Sequence, residues 1–225
     1  IPVAGFDLDA YLRRVGYDGP REPTLATLKT VVSAQVAAIP YENVDVLLGR
    51  AIHLDLATLQ RKLVQRGRGG YCYESNTLLE TALTSLGFEV TCLGSHVVRG
   101  LPNGAEAPGN HKLLRVDVAE GPHIVDIGLG NLTPTVPLAL RLDEIQATPH
   151  GLYRFVPHGS EFMLQTRIGD TWNDLFYFSL EPMPPAIFET ANRFTSTASG
   201  SPFLTNLIVA SPVAGGRAML YNRRF

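Results

Sequence analysis

Three residue types, met in one order along the chain, could together do chemistry: Cys72, His111 and Asp126. A cysteine attacks as its thiolate, a histidine takes and returns the proton, and an aspartate fixes the imidazole tautomer and stabilises its cation. Cys72 lies in RGRGGYCYESN, residues 66–76, directly behind Gly67, Gly69 and Gly70. Those glycines let the backbone turn sharply and approach other atoms closely. A helix starting at Cys72 would put the sulfur at its positive end, where free N–H groups favour the thiolate. Taken alone, such a cysteine is as readily a buried structural thiol. Cys92, inside a strand pattern with no polar neighbour, is given that structural role.

His111 opens the run HKLLRVDVA after the loop LPNGAEAPGN. Alternation places His111, Leu113 and Arg115 on one face and Leu114, Val116 and Val118 on the other. The imidazole therefore shares a face with an apolar residue, at a position suited to the rim of a cleft. The remaining histidines, His53, His96, His123, His150 and His158, lack a comparable setting, although His123 is near Asp126. Asp126 sits in HIVDIGLGN. A carboxylate inside an apolar strand is costly to bury unless paired. Its available partners are an imidazole N–H or the turn amides of Gly128 or Gly130. Antiparallel strands joined by a short turn would bring His111 and Asp126 side by side. Other chemistries have less support, because the sequence holds no metal-ligand cluster, no Walker-type phosphate loop and no G-x-S-x-G elbow.

The elements that must position these residues change character after Gly87. Before it, FDLDAYLRRVG, PTLATLKTVVSAQVAAIP, LDLATLQRKLVQRG and YCYESNTLLETALTSLGF carry apolar residues at helical spacing. Gly16 and Pro40 are stops, and Asp55 is a cap. After it, EVTCLGSHVV, HKLLRVDVA, HIVDIG, LYRFVP, EFMLQTRIG and NDLFYFSL are short β-branched and aromatic runs separated by Gly, Pro and Asn. Strands that follow one another predict an antiparallel sheet or barrel rather than βαβ units. PPAIFETANRFTST predicts a linking helix. FLTNLIVASPV and RAMLYNRRF, joined at Gly215–Gly216, predict a final hairpin.

Bulk composition narrows the class. The chain has 225 residues, 45% hydrophobic and 18% charged, with net charge −2. That fits a soluble globular protein with a sizeable core, and nothing in it suggests a dedicated nucleic-acid binder. Arg61, Lys62, Arg66 and Arg68 form a local basic cluster, either a solvated face or a meeting point for a phosphorylated ligand. Two cysteines make no disulfide framework, which favours a cytoplasmic location. The start, IPVAGFDLDAY, is not expected to be a signal peptide, and no apolar run approaches the ~20 residues of a membrane span.

With these segments in view, the chain resembles the arylamine N-acetyltransferases. RGRGGYCYESN is similar to their R-G-G-aromatic-C-aromatic-E-x-N motif and IPYENVDV to their P-F-E-N-L segment. HKLLRVDV and IVDIGLG resemble their histidine and V-D-V-G-F-G strands, and SGSPFLTN their S-P-F segment. The likeness runs from about Phe6 to Phe225. It implies an α+β fold in three parts. A helical bundle over 1–88 would carry the nucleophile, and an antiparallel β-barrel over 89–185 would carry His and Asp. A linker helix and a partial α/β lid would fill 186–225. The core would be the Cys-His-Asp arrangement of papain-like proteases and transglutaminases.

The resemblance also implies roles. Cys72 would accept the acyl group, with His111 and Asp126 completing the triad. Tyr41, Val98, Leu129 and Phe203 would line the substrate pocket, and Gly128 and Gly130 would flank the approach of acyl-CoA. Glu42 and Arg68 would form an ion pair supporting the active-site turn. The implied reaction is ping-pong acetyl transfer from acetyl-CoA to an arylamine, arylhydrazine or N-hydroxyarylamine. It implies no metal, nucleic acid or membrane partner, and is compatible with a homodimer. A rival in the same family is an amide synthase closing a macrolactam from a carrier-bound polyketide. Peptide-directed chemistry and a non-catalytic domain with a buried thiol are more distant alternatives. The chain departs from the family where Leu129 replaces an aromatic and Tyr41 a phenylalanine. It also stops after YNRRF, where members continue to a helix.

Overall fold

The computed structural model describes residues 3–101 and 109–225, so most of the LPNGAEAPGN loop lies outside the described residues. Helix α1 (Leu8–Val15) begins at Asp7, whose carboxylate accepts from the Ala10 N–H, and stops at Gly16 in the left-handed region. Thr24 caps α2 (Leu25–Ala38), which ends before Pro40. Strand β1 (Tyr41–Glu42) and the short α3 (Val44–Leu47) follow. Asp55 caps α4 (Leu56–Leu59) by accepting from the Thr58 N–H. The periodicity of LDLATLQRKLVQRG predicts one α-helix, but the chain widens to a π-helix over Gln60–Gln65. The widened turn buries Gln60, Leu63 and Val64 and carries Lys62 to two carboxylates, Asp45 and Glu74. Helix α5 (Cys72–Ser85) begins at the cysteine itself. Leu78, Leu79 and Leu83 along it are fully buried, each contributing roughly 1.5–3 kcal/mol relative to exposure.

The second half is an antiparallel sheet. Its strands are β2 (Glu89–Val97), β3 (Gly109–Val118), β4 (Gly121–Val125), β5 (Leu138–Ala139), β6 (Gln146–Thr148), β7 (Gly151–His158), β8 (Glu161–Ile168) and β9 (Thr171–Pro182). They lie in the order β5-β4-β3-β2-β9-β8-β7-β6. The sheet curls into a nearly closed barrel, and its two edge strands meet through a side chain. The Gln146 amide accepts from the Ala139 N–H at 2.8 Å and donates to the Ala139 carbonyl at 2.7 Å. A single amide thus satisfies backbone groups that a sheet edge would leave open.

Alternation on β3 divides the core in two. Leu114 and Val116, with Val125 and Ile127, pack against the helices through Leu28, Val32, Leu63, Leu79 and Leu83. Leu113 faces the barrel interior with Leu93, Phe155, Phe176 and Phe178. A third cluster joins Val46, Tyr71, Cys72 and Tyr73 to Phe188 of α6 (Pro185–Thr197). The chain ends in the predicted hairpin, β10 (Ile208–Val213) and β11 (Gly216–Tyr221). Its sheet is completed from far away in sequence, because β1 pairs with β10 in the register Tyr41↔Ala210. No helix among the described residues is long and apolar enough to cross a membrane.

Candidate active site

The turn before Cys72 is held by the segment around Pro40. The Gly70 N–H donates to the Pro40 carbonyl at 3.2 Å, and the Glu42 N–H donates to the Gly70 carbonyl at 3.0 Å. A Cβ on Gly69 would run into the Pro40 carbonyl oxygen and its carbon, so the two segments can approach this closely only at glycine. Arg68 spans the turn by donating from Nε and Nη2 to Glu42 Oε1 at 3.1 and 2.7 Å. The other Glu42 oxygen accepts from the Val44 N–H. Inside the turn, the Glu74 carboxylate accepts from the Tyr71 N–H at 3.3 Å and from Lys62 at 2.8 Å. Burial pushes the Glu74 carboxyl upward in pKa, against the pull of Lys62.

This turn delivers Cys72 to the first position of α5, 5% exposed, beside two other buried groups: His111 at 4% and Asp126 at 2%. His111 Nε2 lies 2.7 Å from Asp126 Oδ2. The Cys72 thiol is hydrogen-bonded to the same ring, which leaves Nδ1 as its partner. Burial lowers the His111 pKa, but the Asp126 carboxylate, followed by Cys72, outweighs it and pushes it up to about 10. The imidazole is therefore set up as a cation at neutral pH, between a carboxylate and a sulfur. The fit around Cys72 is tight, since a Cβ on Gly128 would lie 2.5 Å from the Cys72 Cα.

Asp126 differs from its sequence reading in one respect. Strand β4 ends at Val125, so Asp126 is the first residue beyond it. The chain turns there, and Asp126 Oδ1 accepts from the Gly128 N–H at 2.8 Å, so the carboxylate takes both a turn amide and the imidazole. The β3–β4 register ends at Leu114↔Val125, and carried one residue further it would set Asp126 opposite Leu113. His111 is then its diagonal neighbour on the same face rather than its direct partner. Cys92 also departs from expectation. It has polar neighbours, Lys112 of β3 and Glu80 of α5, although burial dominates and drives its pKa up to about 12.

Asn76 carries weight that sequence reasoning assigned to no residue. Its side-chain N–H groups donate to Asp126 Oδ1 at 3.2 Å and the Lys112 carbonyl at 2.6 Å, and its oxygen accepts from the Ile127 N–H at 3.2 Å. It lies one helical turn beyond Cys72, in the last position of the RGRGGYCYESN motif. Among the expected pocket residues, Tyr41 and Phe203 pack against the cluster that contains Cys72. Burial raises the Tyr41 hydroxyl pKa, with Cys72 and Asp126 adding to it. Leu129 belongs to the buried barrel cluster, its N–H donating to Thr133 Oγ1. Val98 is half-buried just past β2, with its N–H on the Leu175 carbonyl. Gly130 is in the left-handed region, and a Cβ there would touch the Tyr41 ring at 3.9 Å. Among the described residues, no group of three or more His, Cys, Asp or Glu is placed to hold a metal ion.

A family model described as N-acetyltransferase matches residues 24–225. An arylamine N-acetyltransferase of Mycolicibacterium smegmatis is 41% identical over 221 residues, covering 96% of this chain and 80% of that protein. A Salmonella typhimurium protein named arylamine N-acetyltransferase / N-hydroxyarylamine O-acetyltransferase is 37% identical over 219 residues, covering 97% and 78%. The solved structure of Mycobacterium marinum arylamine N-acetyltransferase in complex with CoA superposes with a TM-score of 0.93 at 38% identity, covering 96% of this chain and 80% of that one.

Proposed function

We propose a role for each group in this site from one premise: the chain belongs to the arylamine N-acetyltransferase family. Its reaction is acetyl transfer from acetyl-CoA, by a cysteine thioester, to the nitrogen of an arylamine or the oxygen of an N-hydroxyarylamine. The same comparisons favour this over macrolactam closure, because CoA is the molecule bound in a close structural relative.

The observation that carries the assignment is the chain of contacts from the Cys72 thiol to the His111 ring to Asp126 at 2.7 Å. The Cys72 thiolate attacks the thioester carbonyl of acetyl-CoA. Backbone N–H groups at the start of α5, which lack intrahelical partners, stabilise the oxyanion. The C–S bond to CoA breaks, and the leaving thiolate takes the proton of the His111 imidazolium. His111 is then neutral and accepts a proton from the amine as that amine attacks the acetyl-Cys72 thioester. Loss of the Cys72 thiolate restores the starting ion pair. Aromatic amines suit the second half because their low basicity leaves them unprotonated at neutral pH. Asp126 holds the imidazole with Nε2 toward itself throughout, and Glu42 with Arg68 holds the turn. Tyr41 and Phe203, against the Cys72 cluster, are the acceptor's first apolar contacts. Leu129 and Val98 complete the pocket, with Gly128 and Gly130 beside the acyl donor. The two free cysteines support a reducing compartment such as the cytoplasm.

Intact-protein mass spectrometry after mixing with acetyl-CoA tests the scheme. A single acetyl adduct is expected, lost on adding an aromatic amine and absent in Cys72→Ala. An adduct that persists in Cys72→Ala would place the chemistry elsewhere, and acylation by carrier-bound polyketides alone would restore the synthase.

A further inference from the structure

A cavity of about 220 Å³ opens on the segment that leads into the nucleophile turn. Its cations are Arg50, Arg61, Lys62, Arg66 and Arg68, its acids are Asp45 and Glu74, and His53 also lines it. Asp45 is taken by Lys62 at 2.8 Å, Arg50 at 3.0 Å and, more distantly, Arg68 at 3.5 Å. Glu74 is taken by Lys62, and Arg68 is anchored from behind by Glu42. These acids are thus consumed by Arg50, Lys62 and Arg68. Among the described residues neither Arg61 nor Arg66 is in an ion pair, and both are exposed. Asp55 lies within electrostatic range of Arg61 and His53, but its carboxylate is already the cap of α4.

The backbone is unusual at the same place. Arg61 and Lys62 sit on the π-helix Gln60–Gln65, a form that is rare and concentrates at functional sites. We propose that this cavity is a binding site for a small phosphate-bearing anion, gripped by Arg61 and Arg66 with Arg68 and Lys62 behind them. Guanidinium forks match phosphate oxygens two at a time. The volume is ample for a phosphate or diphosphate group. The group could be a free anion or the phosphate end of CoA, and the recognition chemistry is the same.

The test is calorimetric titration of the whole protein with inorganic diphosphate at ionic strength fixed with sodium chloride. Saturable binding is expected. The double variant Arg61→Gln with Arg66→Gln keeps the Glu42–Arg68 and Lys62 pairs and is expected to bind roughly tenfold or more weakly. Arg66→Gln alone should show a smaller loss in the same direction. No saturable binding to the wild-type protein, or equal affinity in the double variant, overturns the site. Competition between CoA and diphosphate would assign the site to CoA phosphates, and simultaneous binding would assign it to a separate anion. The readout is binding alone, so it stands or falls independently of acetyl transfer.

Discussion

Asp126 has little freedom to change without moving its neighbours. One oxygen accepts from Asn76 and the Gly128 N–H, and the other faces His111 Nε2. An asparagine at this position keeps the shape but can turn an N–H toward the ring, which then presents the wrong tautomer to Cys72. Asp126→Asn is therefore expected to slow acetylation of Cys72 by roughly 10³–10⁴-fold while circular dichroism stays native. Near-normal acetylation would refute the tautomer role. His111 gives a second, thermodynamic handle. Its folded pKa, pushed up to about 10, exceeds the unfolded value of about 6.5. A raised pKa of this sign contributes stability that is fully present below about 6.5 and lost as pH rises through 10. Urea titrations should show wild-type stability falling over that window and His111→Gln falling less. Equal slopes would mean the pair is not the source. At this scale the reactive types were legible, because Cys, His and Asp each carry an intrinsic chemistry. Asn76 was not, since an amide has none and its importance comes only from three long-range hydrogen bonds. The neighbours of Cys92 escaped for the same reason, as they arrive from α5 and β3 rather than from its own strand.

The elements explain why those side chains meet. Helix α5 starts at Cys72 because Gly69 lets the turn close against Pro40, with the Glu74 carboxylate on the Tyr71 N–H as the first-turn cap. A methyl at position 69 would meet backbone, which cannot swing aside as a long side chain can. Gly69→Ala is expected to cost about 1–3 kcal/mol of stability and to slow Cys72 acetylation as well, because the displaced segment is the one that aims the sulfur. Thermal unfolding alongside single-turnover acetylation would check both, and a stable variant with unchanged acetylation would show that the turn has slack. The helices were readable from stops, caps and apolar spacing, as Gly16 and Asp55 with Leu59 show, although the Asp7 cap of α1 was not read. The π-helix was not, since Gln60–Gln65 has the same residue pattern as an α-helix, and its Lys62 meets carboxylates that lie elsewhere in the chain. Strands β1, β5 and β6, two or three residues each, are too short to show alternation. The Gln146 seam that joins the barrel edges is equally invisible in a local window.

For the whole molecule, the site is a junction of three packed clusters rather than a feature of one. Cys72 comes from the helical layer, His111 from the barrel strand next to it, and Tyr41 and Phe203 from the region where β1 pairs with β10. Asn43 ties that last junction. Its buried amide donates to the Phe203 carbonyl at 2.9 Å and the Asn206 carbonyl at 2.7 Å, and its oxygen accepts from the Ile208 N–H at 2.8 Å. The sequence placed Asn43 in a recognisable segment, IPYENVDV, but only the fold reveals that its partners lie some 160 residues on. Asn43→Ala leaves those backbone groups without their partner at about 1–3 kcal/mol for each one that stays buried. The cost should fall on the C-terminal piece, which we propose as a separate unit over 186–225, rather than on the barrel. Hydrogen exchange in this variant is expected to quicken across Phe203–Tyr221 while β3 and β8 keep their protection. Acceptor KM should rise as Phe203 loosens, with acetylation of Cys72 by acetyl-CoA less affected. Uniform loss of protection through the barrel would instead mean that the three clusters fold and open as one.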